Sequence, residues 1–246
     1  MTRSEFQGVA TVVRFNWPFF VIALAGAIAL GVSSFFVPSW LGVACALVGF
    51  GIMLTTVSSL LGTYLAYDAS SLYRLEWLAP HLPENGEAAN IHAGFDETTE
   101  LLRSQFGQLN WCAMDFYDPQ IHTEASIRRA RASQPAIEGT IEFHSRSIPA
   151  RDQQFDIVLL TLAAHEIRDR QERIDFFTEI RRVLKPDGRA IVTEHLRDIP
   201  NYLTYSIGAL HFHSRSAWMD SFDGANLSVE AEIRPAPLIH TFILCK

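Results

Sequence analysis

The sequence predicts an α/β domain on a mostly parallel sheet, preceded by a transmembrane helical hairpin. Two stretches carry that expectation. Residues 155–195 (FDIVLLTLAAHEIRDRQERIDFFTEIRRVLKPDGRAIVTEH) read as strand, loop, helix, turn and strand. From Phe15 to Tyr67 there is no Asp, Glu, Lys or Arg.

In the first stretch, the β-branched and aliphatic run over 155–162 suits a strand buried on both faces. Ile174, Phe177, Ile180 and Val183 recur at spacings of three and four between Arg and Glu, which predicts a helix over 169–184. Lys185-Pro186-Asp187-Gly188 stops it, since Pro cannot continue a helix and Gly tolerates the reversal. A second buried strand starts at 190–193 and ends on Glu194 and His195. Strand–helix–strand of this length favours a parallel pair with a right-handed crossover. Ligands bind at the carboxyl ends of such strands. Both ends carry a His/Glu pair, His165-Glu166 and Glu194-His195.

A chain of 246 residues accommodates one domain plus an extra segment. The net charge of −7 leaves no basic stripe to neutralise phosphates, so no nucleic-acid partner is expected. Cys45, Cys112 and Cys245 lie far apart without metal spacing, which fits a reducing compartment.

The uncharged run is too long for one membrane span and suits two, over 17–37 and 41–66, turning at Pro38-Ser39. Trp17, Trp40, Tyr64 and Tyr67 fall near the span ends, as interfacial aromatics do. Gly26, Gly31, Gly42, Gly49 and Gly51 allow close helix packing. A buried soluble hairpin is the alternative; a cleaved signal peptide is not expected, because a second span follows. Arg3 and Arg14 precede the spans, Arg74 follows them and the turn has none, which places both ends in the cytoplasm. The expected division is a cytoplasmic tail over 1–15, two transmembrane helices over 16–67, a connecting helix and linker over 68–87, and a domain over 88–246. The expected location is the inner or cytoplasmic membrane, multi-pass, with the domain cytoplasmic. The connection reads as a short amphipathic helix, lying at the headgroups or packed on the domain.

FDIVLL, then a helix ending RRVLKPDGRAIVTEH, resembles the fourth-to-fifth-strand segment of class I S-adenosylmethionine (SAM) methyltransferases, nearest the group that acts on quinones and other small molecules. The resemblance implies a Rossmann-like seven-stranded sheet, closed by an antiparallel hairpin over 227–233 and 238–245, with SAM as cofactor. It makes 88–94 (AANIHAG) the first strand and Gly94 the first glycine of the cofactor loop. The later glycines are replaced by Phe95, Asp96, Glu97 and Thr98, and His92 stands where an acidic residue is usual. Two carboxylates there would repel the methionine carboxylate. The implied site is therefore altered, using Thr98, Thr99 and backbone amides, or its cofactor binding is weakened. The second strand, 109–115, ends on Asp115, which the resemblance assigns to the ribose hydroxyls; a loop-capping Asp is the alternative. Phe116 and Tyr117 would flank the adenine. In the third strand (IEFHS), His144 replaces an adenine-binding Asp, with Ser145 or Ser147 taking over its contact. The helix over 123–133, with Arg128, Arg129 and Arg131, reads as a solvated face.

Six histidines fall at predicted strand ends or just after the fifth strand: His92, His144, His165, His195, His211 and His213. They serve either as packing groups, as acid–base catalysts or as metal ligands. For acid–base work His165 is the first choice and His195 the second, oriented by Glu166 or Glu194. No His-x-x-x-His or Cys pair is present, so no metal is expected. Tyr205, His211, His213 and Arg215 are candidates for holding an acceptor. The expected function is membrane-anchored, SAM-dependent methylation of a lipophilic or membrane-associated small molecule. The alternatives are a cofactor-free, membrane-tethered binding or assembly module, and a non-methyl SAM-dependent transferase acting on a quinone.

Overall fold

The computed structural model describes residues 3–246. Helices α1 (Gln7–Ser33) and α2 (Ser39–Thr63) form an antiparallel hairpin. Two of the five glycines serve its seam. A Cβ on Gly42 would fall 2.4 Å from the Ser34 carbonyl oxygen, and one on Gly49 3.2 Å from that of Ala27, whereas Gly26, Gly31 and Gly51 face open space. The outward side chains, among them Phe19, Ile22, Phe35 and Phe50, are exposed.

Residues 7–15, expected as a tail, are instead the first turns of α1. The cause is a cap supplied from far along the chain. The Asp68 carboxylate accepts the Gly8 N–H at 2.6 Å and the Val9 N–H at 3.0 Å, satisfying two of the free donors at the helix start. Gly8 is required there, because a Cβ would meet that of Tyr67 at 2.5 Å. At Asn16 the backbone leaves the helical region (φ −114°, ψ 16°), two residues before Pro18. Pro18 kinks α1 there and separates its first turns from its long apolar part.

The connecting segment is not one helix. A π-turn (Tyr64–Asp68) is followed by 3-10 turns at Leu72–Arg74 and Glu76–His81, interrupted by the left-handed Leu75 (φ 61°). Its Leu72, Leu75 and Leu78 are buried against the domain, which fits the packed alternative.

The sheet has seven strands: β1 (Gly86–His92), β2 (Leu109–Asp115), β3 (Ile141–Glu142), β4 (Phe155–Thr161), β5 (Leu184–His195), β6 (Ser228–Ala236) and β7 (Ile239–Cys245). The order is β3-β2-β1-β4-β5-β7-β6; β7 runs antiparallel to both neighbours and the other pairs are parallel. Helices α3 (Thr99–Gln105), α4 (Ala125–Ser133), α5 (Arg170–Val183), α6 (Ile199–Tyr205) and α7 (Arg215–Gly224) complete the domain. Asp169 caps α5 by accepting the Glu172 N–H. The LKPDG run both ends α5 and opens β5, through a register shift between Phe155 and Ile157. Gly188 permits it, since a Cβ there would lie 2.9 Å from the Phe155 carbonyl oxygen. The third strand keeps only two of the five expected residues, both on an exposed edge. Strand order reverses between β1 and β4, so their carboxyl ends open a crevice.

Candidate active site

A cavity of about 240 Å³ lies over that crevice. His92, Ala93 and Thr98 line it from the β1 side, and Thr161, Leu162, His165 and Glu166 from the β4 side. Its roof is α1, through Thr11, Val12 and Phe15. Phe15 stacks edge-on against Phe95, and Arg129 holds the Phe15 carbonyl at 2.5 Å. The first turns of α1 thus form one wall of the site.

On the cofactor side, Gly94 (φ 80°) lies under the Tyr117 ring, whose Cγ would sit 3.0 Å from an added Cβ. Asp115 is buried at the end of β2. Its Oδ1 accepts the Gly94 N–H at 2.8 Å and the Tyr117 N–H at 2.9 Å, and its Oδ2 meets Arg131 Nη1 at 2.5 Å. The arginine expected on a solvated face is therefore this carboxylate's counter-ion. Neither carboxylate of the altered loop stands free. Asp96 caps α3, accepting the Thr98 and Thr99 N–H groups at 3.0 and 2.9 Å. Glu97 binds Arg3 at 2.9 Å and the Tyr73 hydroxyl at 2.8 Å. The repulsion expected of the pair is answered by a helix start and by the chain's own N-terminal arginine. Asn90 donates to Asp96 and to both Thr98 and Thr99 hydroxyls. Both His92 ring nitrogens, Asp96 Oδ2 and Asn90 Oδ1 are buried without hydrogen-bond partners.

Phe116 and Ser145 leave the cofactor side. Phe116 is a core residue, packed on Phe143 and Phe176. The Ser145 hydroxyl is committed to Glu172 Oε1 at 2.5 Å. His144 is exposed in its loop.

On the β4 side, three of the four expected catalytic residues converge. His165 Nδ1 is 2.7 Å from Glu194 Oε2, its backbone N–H donates to Glu194 Oε1, and its Nε2 is 3.4 Å from Glu166 Oε1. Burial pulls the His165 pKa down, but the Glu194 and Glu166 carboxylates outweigh it and lift it to about 10. Burial raises the Glu166 carboxyl, and the bond and charge of His165 bring it below its ordinary value. His195 is turned away, because successive residues of a strand face opposite sides of the sheet. Its Nδ1 donates to the Leu238 carbonyl (2.9 Å) and Asn201 Oδ1 (3.0 Å), its Nε2 accepts the Tyr67 hydroxyl (2.8 Å), and it stacks on Phe212. Burial lowers its pKa to about 4. It is a neutral structural clip between the helical hairpin and the sheet, and it does not line the cavity.

Of the four expected acceptor contacts, only His211 lines the cavity. It packs on His165 with ring centroids 5.0 Å apart, and its Nδ1 is 3.3 Å from Glu124 Oε2. The His211 ring, together with Arg168, brings the Glu124 pKa down to about 2 against its burial. His213 packs on Trp218 beside Arg173, and burial and that arginine lower it to about 3. Arg215 is paired with Glu232 at the surface, and Tyr205 packs on His195 and Phe212. Sequence reasoning missed Arg3, Thr11, Val12, Phe15, Glu124 and Arg131. Its one available signal was polar Thr11, Arg14 and Asn16 interrupting the approach to an apolar span.

A family profile described as "Methyltransferase domain" matches residues 90–192. The fold is similar to that of a SAM-dependent methyltransferase from Aquifex aeolicus: TM-score 0.53, 13% identity, covering 71% of this chain and 90% of that one. A SAM-dependent methyltransferase from Methanosarcina mazei gives a TM-score of 0.51 and 14% identity, covering 69% and 95%. No curated protein matches. Residues 90–192 thus match a methyltransferase-domain profile, and the fold around them is the one these SAM-dependent methyltransferases have. The β1 and β2 ends have room and unpartnered polar atoms (His92, Asp96 and Asn90) for such a cofactor, but a ribose held by Asp115 would have to displace Arg131.

Proposed function

We propose that the chain is a membrane-anchored SAM-dependent methyltransferase acting on a lipophilic or membrane-associated small molecule from the cytoplasmic side. The observation that carries this reading is the shared wall between hairpin and cavity. The kinked helix α1 supplies the roof with its first turns and, beyond the kink, an apolar rod of membrane-spanning length. A second feature supports it. Beside α2, Ile199, Leu203, Ile207 and Leu210 project from α6 and the following turn, mostly exposed and uninterrupted by charge. Thr204 of α6 seats on Gly62 of α2, so this patch continues the apolar surface of the hairpin. His211 ends the same segment and lines the cavity, which gives an acceptor a route from the apolar surface to the strand ends.

In this reading Gly94, Thr98 and, once released by Arg131, Asp115 hold SAM, which when bound supplies an electrophilic methyl group. Glu194 fixes His165 on the cavity wall, and Glu166 and His211 complete the polar end that orients the acceptor. Phe15, Val12 and Leu162 exclude water from between them.

Isothermal titration of the full chain in detergent micelles with SAM and S-adenosylhomocysteine tests the proposal. Binding of either, abolished by Asp115→Asn, supports it; a folded chain that binds neither refutes it.

A further inference from the structure

We propose that His165, Glu166 and His211 form a binding site for a divalent transition-metal cation on the cavity wall. The Nε2 atoms of both histidines converge on Glu166 Oε1, at 3.4 Å from His165 and 3.9 Å from His211. One donor atom from each residue lies within 4.8 Å of the other two. Ligands held about 2.0–2.2 Å from a common ion sit roughly 3–3.5 Å from one another. The cluster therefore reaches binding geometry by closing about 1 Å.

The second observation lies behind the ligands. Each histidine has a carboxylate on its other nitrogen, Glu194 at 2.7 Å from His165 Nδ1 and Glu124 at 3.3 Å from His211 Nδ1. A carboxylate there takes the Nδ1 proton, fixes the ring and leaves Nε2 as the lone-pair donor, which is the support metal-binding histidines have. Arg168 also reaches His211 Nδ1, and it has Glu124 as an alternative partner at 3.2 Å. The charges agree. Glu124, Glu166 and Glu194 face Arg168 as the fixed cation of the cluster, so once His165 gives up its Nε2 proton for the incoming ion, two negative charges remain to hold it.

Two imidazoles and one carboxylate suit zinc, manganese, iron(II) or cobalt(II), and leave coordination positions open toward the cavity. An oxygen donor of the acceptor, a hydroxyl or phenol, fits those positions. That acceptor role rests on the methyl-transfer reading; cation binding itself does not. The site has no sequence signature because its ligands come from the turn after β4 and from the turn after α6, 45 residues apart between Glu166 and His211.

The test is titration of the tag-free full chain in micelles with Co²⁺, read by visible d–d absorption and calorimetry and repeated with Mn²⁺. His165→Asn, His211→Asn and Glu166→Gln are compared with His81→Asn as a remote control, each checked for folding by circular dichroism. One Co²⁺ per chain, with affinity at least tenfold weaker in the His165 and His211 variants and unchanged in the control, supports the site. No saturable Co²⁺ absorption in the unmodified chain, or an affinity in both histidine variants unchanged from that of the unmodified chain, overturns it. SAM titrated on the same samples separates the two proposals. Co²⁺ binding without SAM binding keeps the cation site and removes the methyl-transfer reading; SAM binding without Co²⁺ binding does the reverse.

Discussion

Acidification should loosen the joint between the helical hairpin and the sheet, through His195. The ring is buried and bonded on both nitrogens, and burial brings its pKa from 6.5 to about 4. The unfolded chain therefore takes up a proton that the folded chain refuses over that interval. Its stabilising contribution is complete above pH 6.5 and is lost as the pH falls toward 4. Integrated over the window, the loss at pH 4 is about 3 kcal/mol. The comparison variant is His195→Asn, which keeps a donor for the Leu238 carbonyl but cannot titrate. It leaves the Tyr67 hydroxyl without its acceptor, which costs about 1–3 kcal/mol at pH 7. Urea unfolding of both chains in micelles, followed by circular dichroism between pH 7 and pH 4, gives the two slopes. The unmodified chain is expected to lose about 3 kcal/mol more than the variant over that range. His213, also brought down by burial, titrates in both and cancels. Parallel pH dependences would show that His195 is not held neutral and would refute the clip.

Arg131→Ala frees Asp115 Oδ2, so SAM affinity should rise roughly two- to fivefold, the equivalent of a partly exposed ion pair, while thermal stability falls; calorimetry and melting measure the two together. Gly62→Ala puts a Cβ 2.1 Å from the Thr204 methyl and should cost about 1–3 kcal/mol, with most of it restored by Thr204→Ala in the double variant. Val12→Trp fills the cavity from its roof, and should raise the apparent KM for acceptor at least tenfold without altering membrane partition.

The parallel sheet was legible because buried strands and an amphipathic crossover helix leave strong local patterns, and β2 was placed to the residue. Residues 7–15 were not, because their helical start depends on Asp68, sixty positions away from Gly8. The connecting segment defeated pattern reading for a related reason. Its leucines have helical spacing, but burial against the domain bends it into short turns at Leu75. In the site, His165 and its carboxylates followed from strand-end logic. His195 did not separate from its neighbour until the strand's alternation was seen against the turns that pack on each face. Arg131 read as solvated because nothing local links it to Asp115.

The Asp68 cap bears on how the protein is best handled. Removing residues 1–87 to obtain a soluble catalyst takes away Arg3 from Glu97, Tyr67 from His195, and the whole roof over the strand ends. What remains has an uncovered crevice, an unpaired carboxylate at its mouth and core residues of the sheet and α3, Ile239 and Leu102 among them, stripped of Leu72, Leu75 and Leu78. Loss of activity in such a fragment would report a dismantled chamber, and only the intact chain, extracted with its hairpin, presents the reaction space as built.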